Sequence, residues 1–142
     1  MDIEILNYIP QRAPFIMIGS VISADEKATQ TTLTITEDNL FVANGLFTEP
    51  GLIENMAQTA GAGTGYRAKK DGKPQPKGYI AALKNVNIFS LPKVNDTIQT
   101  ETIFLQTLLN FHLVKGSVKV GDTEIANCEF KIFVYTDQSA QS

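Results

Sequence analysis

"VANGLFTEPGLIENMAQTAG", residues 42 to 61, decides the fold of this chain. From Pro50 to Tyr66 the sequence reads as a helix of Ala, Gly, Leu, Ile and Met in which Glu54 is the one charged side chain. A helix turns about 100° per residue, so Glu54, Gln58, Gly61 and Gly65 share one narrow stripe. Leu52, Ile53, Met56, Ala57 and Ala60 take the other directions. A helix that is apolar almost all round is a buried one, so a sheet must wrap it. Gly61, Gly63 and Gly65 each cost about 0.5–1 kcal/mol of helix stability relative to Ala, which is best tolerated where another backbone or a second subunit packs close.

A lone carboxylate in such surroundings either finds hydrogen-bond donors or has its charge penalised, and a carboxyl tuned that way suits general acid or base chemistry. The structural alternative is that Glu54 caps backbone donors in the first helical turn, where the helix dipole favours an acid. Gln58 divides the same way. It either orients Glu54 or hydrogen-bonds to a neighbouring strand.

On either side of this helix the chain reads as strand and turn. Residues 2 to 9 suit one or two helical turns, stopped at "PQRAP" because Pro10 and Pro14 disfavour helix in the residues before them. "FIMIGSVISA" and "TQTTLTITE" are rich in β-branched and aromatic residues and are split by "DEK", which predicts a hairpin. After the helix comes "RAKKDGKPQPKG", a polar loop, and then four strands in "YIAALKNVNIF", "DTIQTETIFLQTL", "NFHLVKGSVKV" and "TEIANCEFKIFVY". Turns fall at "LPKVND", near Leu109-Asn110 and at "VGDT", so these four read as a meander. The order predicts an α+β fold in a single domain over residues 1–142, with 136–142 a flexible tail.

Composition limits the functions. A net charge of −3 argues against a nucleic-acid partner, because phosphate binding wants a clearly basic face. No apolar run approaches the roughly 20 residues a membrane-spanning helix needs, and the acidic start "MDIEILNYIP" is unlike a basic leader, which predicts a cytoplasmic protein. Cys128, the single cysteine, has no internal disulfide partner and reads as a small packed residue in a strand. One His and one Cys are too few for the usual metal clusters, and no phosphate loop or Ser-His-Asp set is visible, so neither metal nor cofactor is expected.

Several ordered elements together resemble the hotdog-fold 3-hydroxyacyl-(acyl carrier protein) dehydratases. "EILNYIPQRAPFIMIGSVISADEKA" resembles their short helix, Pro-His-Arg-x-Pro-Phe element and first strand. "IENMAQTAG" resembles the Glu-x-Met-Ala-Gln of their central helix, and "YIAALKNVNIFSLPKVNDTIQTE" and "KGSVKVGDTEIANCEFKIF" resemble their later strands and terminal hairpin. The resemblance runs to about residue 134 and is closest to a His-poor branch associated with aryl polyene-type biosynthesis. It implies a bent antiparallel sheet wrapped round one long central helix, and a dimer with its active site at the interface. There a histidine of one subunit and an acid on the central helix of the other convert a 3-hydroxyacyl thioester to the trans-2-enoyl thioester. By that resemblance Glu54 holds and protonates the leaving hydroxyl, with Gln58 beside it.

The sequence departs from the family at three places. "FVANGLFTEP" has no histidine where the family has Gly-His-Phe-Pro, and Asn44 and Gly45 fall closest to that position. Asn44 can hydrogen-bond but cannot take a proton at useful pH. Gln11 stands where the family has another histidine, and the sole histidine, His112, lies in a later strand and reads as a packed or solvent-facing residue. Pro50-Gly51 precede Glu54 more closely than in the family, whose glycine N–H polarises the thioester carbonyl. Gly51, Gly45 and Phe47 are the resulting candidates for substrate binding.

Arg67, Lys69, Lys70, Lys73 and Lys77 are five of the chain's 12 cationic residues. A basic patch of this kind would steer an acidic carrier protein, with Arg67, Lys69 and Lys70 as docking residues, or else it is a solvated loop. Three functions remain open. The chain is a dehydratase acting on a carrier-bound phosphopantetheine thioester as a homodimer, a non-catalytic subunit of a heterodimer with another hotdog chain, or a hotdog thioesterase that needs no histidine.

Overall fold

A computed structural model describes residues 3–135, so the tail expected to be flexible lies outside the described residues. A short 3₁₀ turn, Ile3–Asn7, opens the chain and plants Ile5 and Ile9 in a small core against Ile18 and Ala62. Strands β1 (Ser20–Ala24) and β2 (Ala28–Thr34) form the expected hairpin. A small hairpin of β3 (Val42–Ala43) and β4 (Leu46–Phe47) comes next, then the helix α1 (Glu49–Lys70). The chain finishes with β5 (Lys77–Ile88), β6 (Thr97–Leu108), β7 (Phe111–Val120) and β8 (Thr123–Tyr135). The class is α+β, one long helix packed on a large antiparallel sheet.

The main sheet has the order β1-β2-β6-β7-β8-β5. β6, β7 and β8 form a meander through tight turns at Leu109-Asn110 and Gly121-Asp122, where Leu109 (φ 56°) and Gly121 (φ 59°) take left-handed conformations. The expected fourth meander strand is a correction, because β5 pairs with β8 and lies at the far edge. "LPKVND" is therefore part of a crossover from β5 to β6 rather than a hairpin turn. β5 is an edge strand with no further strand beside it among the described residues, and Tyr79, Leu83 and Val86 are exposed.

Two element boundaries also move. "FIMIGSVISA" contributes only its second half to a strand, because α1 side chains take the backbone groups of Phe15 and Met17. Gln58 Oε1 accepts from Met17 N (2.7 Å), while Asn55 Nδ2 donates to Met17 O and Gln58 Nε2 to Phe15 O (both 2.8 Å). The helix extends one turn past its expected end, so Arg67 to Lys70 are helical rather than loop. Basic side chains in a last turn face the negative end of the helix dipole, which favours that extension.

The side of α1 that meets the sheet is closely packed. Leu52 and Met56 are fully buried among Ile98, Val118 and Phe130. A Cβ at Gly65 would strike the Tyr8 carbonyl and one at Gly63 the Thr29 side chain, so of Gly61, Gly63 and Gly65 two serve close approach. This side is less apolar than the sequence suggested, for Asn55 and Thr59 are buried in it. Asn55 Oδ1 accepts from Thr100 Oγ1, and the Thr59 hydroxyl donates to the Asn55 carbonyl (2.8 Å) and lies 2.7 Å from Thr31 Oγ1.

Candidate active site

The opposite side of α1 bounds a cavity of about 280 Å³. Glu54, Ala57, Gln58, Gly61 and Thr64 form its helical wall. Gln11, the start of β5 and the inward residues His112, Val114 and Ile132 form the rest. Added side-chain volume at Gly61 would meet nothing within 4 Å, so this glycine widens the cavity instead of admitting a neighbour.

Glu54 is partly exposed and accepts from Gln58 Nε2 at 3.1 Å. The helix begins at Glu49, so Glu54 lies beyond the first turn, and its documented partner is a side chain rather than a backbone N–H. Gln58 is 1% exposed and does both things considered for it. Its oxygen and nitrogen hold the segment before β1, and the same nitrogen orients the carboxylate. Both hydrogens of the Gln58 amide nitrogen are thereby engaged, by Phe15 O and the Glu54 carboxylate.

The remaining sequence candidates are not brought into the cavity within this chain. Asn44 (φ 55°) and Gly45 (φ 77°) are the central residues of the β3–β4 turn, where Asn-Gly suits a two-residue hairpin, and both are exposed at its tip. Phe47 is fully buried in the core. A Cβ at Gly51 would lie 2.7 Å from the Phe47 ring and 2.8 Å from Phe41 Cβ, so Gly51 lets the start of α1 pack on those rings.

Of the basic residues, Arg67 is half-buried, with its guanidinium 5.7 Å from the Phe104 ring centroid and Nη1 donating to Asp25 O at 3.2 Å. Lys69 lies over the Tyr8 ring, and Lys70 pairs with Glu26 at 3.2 Å in solvent. Lys77 stands on the cavity rim. The cations thus gather around the C-terminal end of α1, beside one end of the cavity.

His112, read from the sequence as a packed or solvent-facing residue, packs on Phe104 and also lines the cavity. The usable signal was strand alternation, because His112 shares the inward side of β7 with Val114, Gly116 and Val118. Gly116 sits against Met56, and His112, four residues earlier, meets the Phe104 ring edge-on at 5.2 Å, beneath Arg67. Burial first, and then the Arg67 charge, lowers the His112 pKa from its usual value, which keeps the imidazole neutral near pH 7. Arg67, which lies over Phe104 and acts on His112, stands about 20 Å of helix beyond Glu54, so His112 lies toward the far end of the cavity from Glu54.

Cys128 is 1% exposed in the core, and burial pushes its thiol up to about 12, so it is no nucleophile. Among the described residues no group of three or more His, Cys, Asp or Glu could hold a metal ion, and no helix is long and apolar enough to cross a membrane.

A sequence model of the ApeP-like family, described as ApeP dehydratase, matches residues 3–141. A 3-hydroxyacyl-[acyl-carrier-protein] dehydratase FabZ of Rhizobium johnstonii is 39% identical over 92 residues, 58% of this chain and 56% of that protein. The chain thus matches little more than half the length of that relative. A FabZ of Fusobacterium nucleatum is 28% identical over 145 residues, covering 95% of this chain and 96% of its own. Among solved structures, the dehydratase heterocomplex ApeI:P of Xenorhabdus doucetiae superposes with a TM-score of 0.88 at 17% identity, covering 96% of this chain and 94% of that one. A hypothetical thioesterase of Streptococcus pneumoniae with coenzyme A gives 0.66 at 10% identity, covering 81% and 84%. The fold is the hotdog expected from the sequence, and the chain belongs to the ApeP-like dehydratase family.

Proposed function

We propose that this chain is the acid-bearing half of a 3-hydroxyacyl-(acyl carrier protein) dehydratase whose base comes from a second hotdog subunit. The observation that carries the reading is Glu54, held by Gln58 on the wall of a cavity in which, among the described residues, no histidine is bonded to it. The base removes a proton from the carbon next to the thioester carbonyl, and that electron pair forms the new double bond. The bond to the 3-hydroxyl breaks, and Glu54 gives its proton to the departing oxygen. The products are the trans-2-enoyl thioester and water.

The unpaired edge of β5, with Tyr79, Leu83 and Val86 exposed, is where the second subunit joins the sheet. The Xenorhabdus relative is described as a heterocomplex, which favours a non-identical partner. Asn44, at an exposed turn, is a hydrogen-bonding contact across that interface, while Phe47 and Gly51 act by shaping the start of α1. Lys69 and Lys70, with Arg67 behind them, are the surface on which an acidic carrier protein docks. A single buried thiol suits a cytoplasmic setting.

Incubation with 3-hydroxydecanoyl-pantetheine, alone and with a histidine-bearing hotdog chain, tests this by enoyl absorbance. Turnover by the mixture alone, lost on Glu54→Gln, is the expected result. Turnover by this chain alone overturns the division of labour, and a mixture indifferent to Glu54→Gln overturns the acid. Release of free thiol without enoyl product would identify a thioesterase.

A further inference from the structure

Two polar side chains of the cavity are not used by the fold. Gln11 Oε1 is buried without a hydrogen-bond partner among the described residues. The half-buried His112 ring meets Phe104 but makes no hydrogen bond among them. A buried amide oxygen left unpaired has lost its hydration without replacement, so a ligand that supplies an N–H there is favoured.

Their places along α1 are ordered. Tyr8 abuts Gly65 and Phe15 is bound by Gln58, so the segment between them runs along the helix toward its start, and Gln11 lies partway. His112 lies beyond it, against Phe104 at the end marked by Arg67. From Glu54 the cavity therefore presents a carboxylate, then a carbonyl oxygen, then an imidazole, over about 15 Å of helix. Ala57, Gly61, Val114 and Ile132 leave an apolar channel between these polar groups. The cationic end suits a phosphate and the Glu54 end the reacting thioester, which sets the direction of a ligand bridging them.

We propose that Gln11 and His112 bind successive amide groups of the substrate's pantetheine arm, and that His112 determines affinity for the part of the arm farthest from the thioester. The inference rests on the reading of the cavity as a thioester site. A neutral imidazole both donates and accepts, so it can meet either an amide or a hydroxyl of the arm.

Calorimetric titration with decanoyl-pantetheine and with decanoyl-N-acetylcysteamine, whose one-amide arm is too short to reach His112, separates the possibilities. His112→Phe, which keeps the ring against Phe104, should weaken the pantetheine thioester about three- to tenfold and leave the short one unchanged. His112→Gln, which keeps a donor and an acceptor, should restore most of the affinity. Gln11→Met should weaken both thioesters by a similar factor. Equal weakening of both by His112→Phe would mean that the acyl chain or the fold is affected, and this assignment fails. Unchanged binding of both in His112→Phe also overturns it while the thioester reading stands. Binding of neither thioester by the wild-type chain, alone or in complex with a histidine-bearing hotdog chain, removes that reading and this one together.

Discussion

The two sides of α1 solve different problems with the same residue types. On the sheet side Asn55 and Thr59 are buried polar groups with every visible need met inside the chain, and Met56 fills the space left by Gly116. On the cavity side Glu54 has one orienting partner, a Cβ at Gly61 would meet nothing, and among the described residues Gln11 Oε1 and the His112 ring make no hydrogen bond. Polar groups that a fold needs are satisfied by the fold, and those kept for a ligand are not. Burial of the polar atom alone would not separate the Asn55 amide from Gln11 Oε1. Partner counting does.

This contrast is broken most severely at Glu54. Glu54→Gln keeps size and the contact with Gln58 but removes the transferable proton, so turnover by the complete dehydratase should fall by about 10²–10⁴ while the melting temperature stays within a degree or two. A comparable loss of stability would move Glu54 to the structural side. Met56→Ala should do the reverse. Removing a fully buried side chain between α1 and Gly116 should cost about 2–5 kcal/mol in urea unfolding, with KM for the thioester little changed in the fraction that folds.

The fold was largely legible because its signals are local. Apolar residues around the helix, turns near Leu109-Asn110 and at Gly121-Asp122, and β-branched runs each point to one element, whereas the small hairpin at Asn44-Gly45 went unread. The position of β5 was not legible in that way. Its sequence suits a strand, but which neighbour it takes depends on pairing with β8, far away in the chain. Phe15 to Gly19 misled for a related reason, since their strand-like side chains say nothing of Gln58 and Asn55 capturing the backbone. At the site, Glu54 stood out as a charge among apolar residues. His112 did not, because its importance comes from the sheet register that turns it toward α1, and only alternation with Val114, Gly116 and Val118 hinted at this.

Smaller effects sharpen the same contrast. Asn55→Ala leaves the Met17 carbonyl and the Thr100 hydroxyl without their partner and should cost about 1–3 kcal/mol, read by thermal unfolding. Gly61→Ala should stabilise the helix by about 0.5–1 kcal/mol, because alanine is the better helix former and the new methyl meets nothing. It should also weaken thioester binding by narrowing the cavity. A stability gain without that weakening would show that the ligand keeps clear of Gly61.

The smallest expected effect lies at His112 and is visible only through pH. Its folded pKa is lowered, chiefly by burial and then by Arg67, whereas in the unfolded chain it titrates near the ordinary histidine value of about 6.5. Just below that value the unfolded chain binds a proton that the folded one refuses, so stability falls as pH drops toward the folded pKa and the contribution levels off beneath it. His112→Phe removes this proton difference and keeps the ring packing. The variant's melting temperature should therefore decline less than the wild type's between about pH 7.5 and about pH 5, with carboxylate titration common to both. Parallel curves would mean that His112 is hydrated and free to protonate in the folded chain, a group of the surface rather than of the cavity wall. A shallower curve for the variant would show that the fold maintains a neutral imidazole at an energetic cost its own packing does not require, which is what a side chain reserved for a ligand should do.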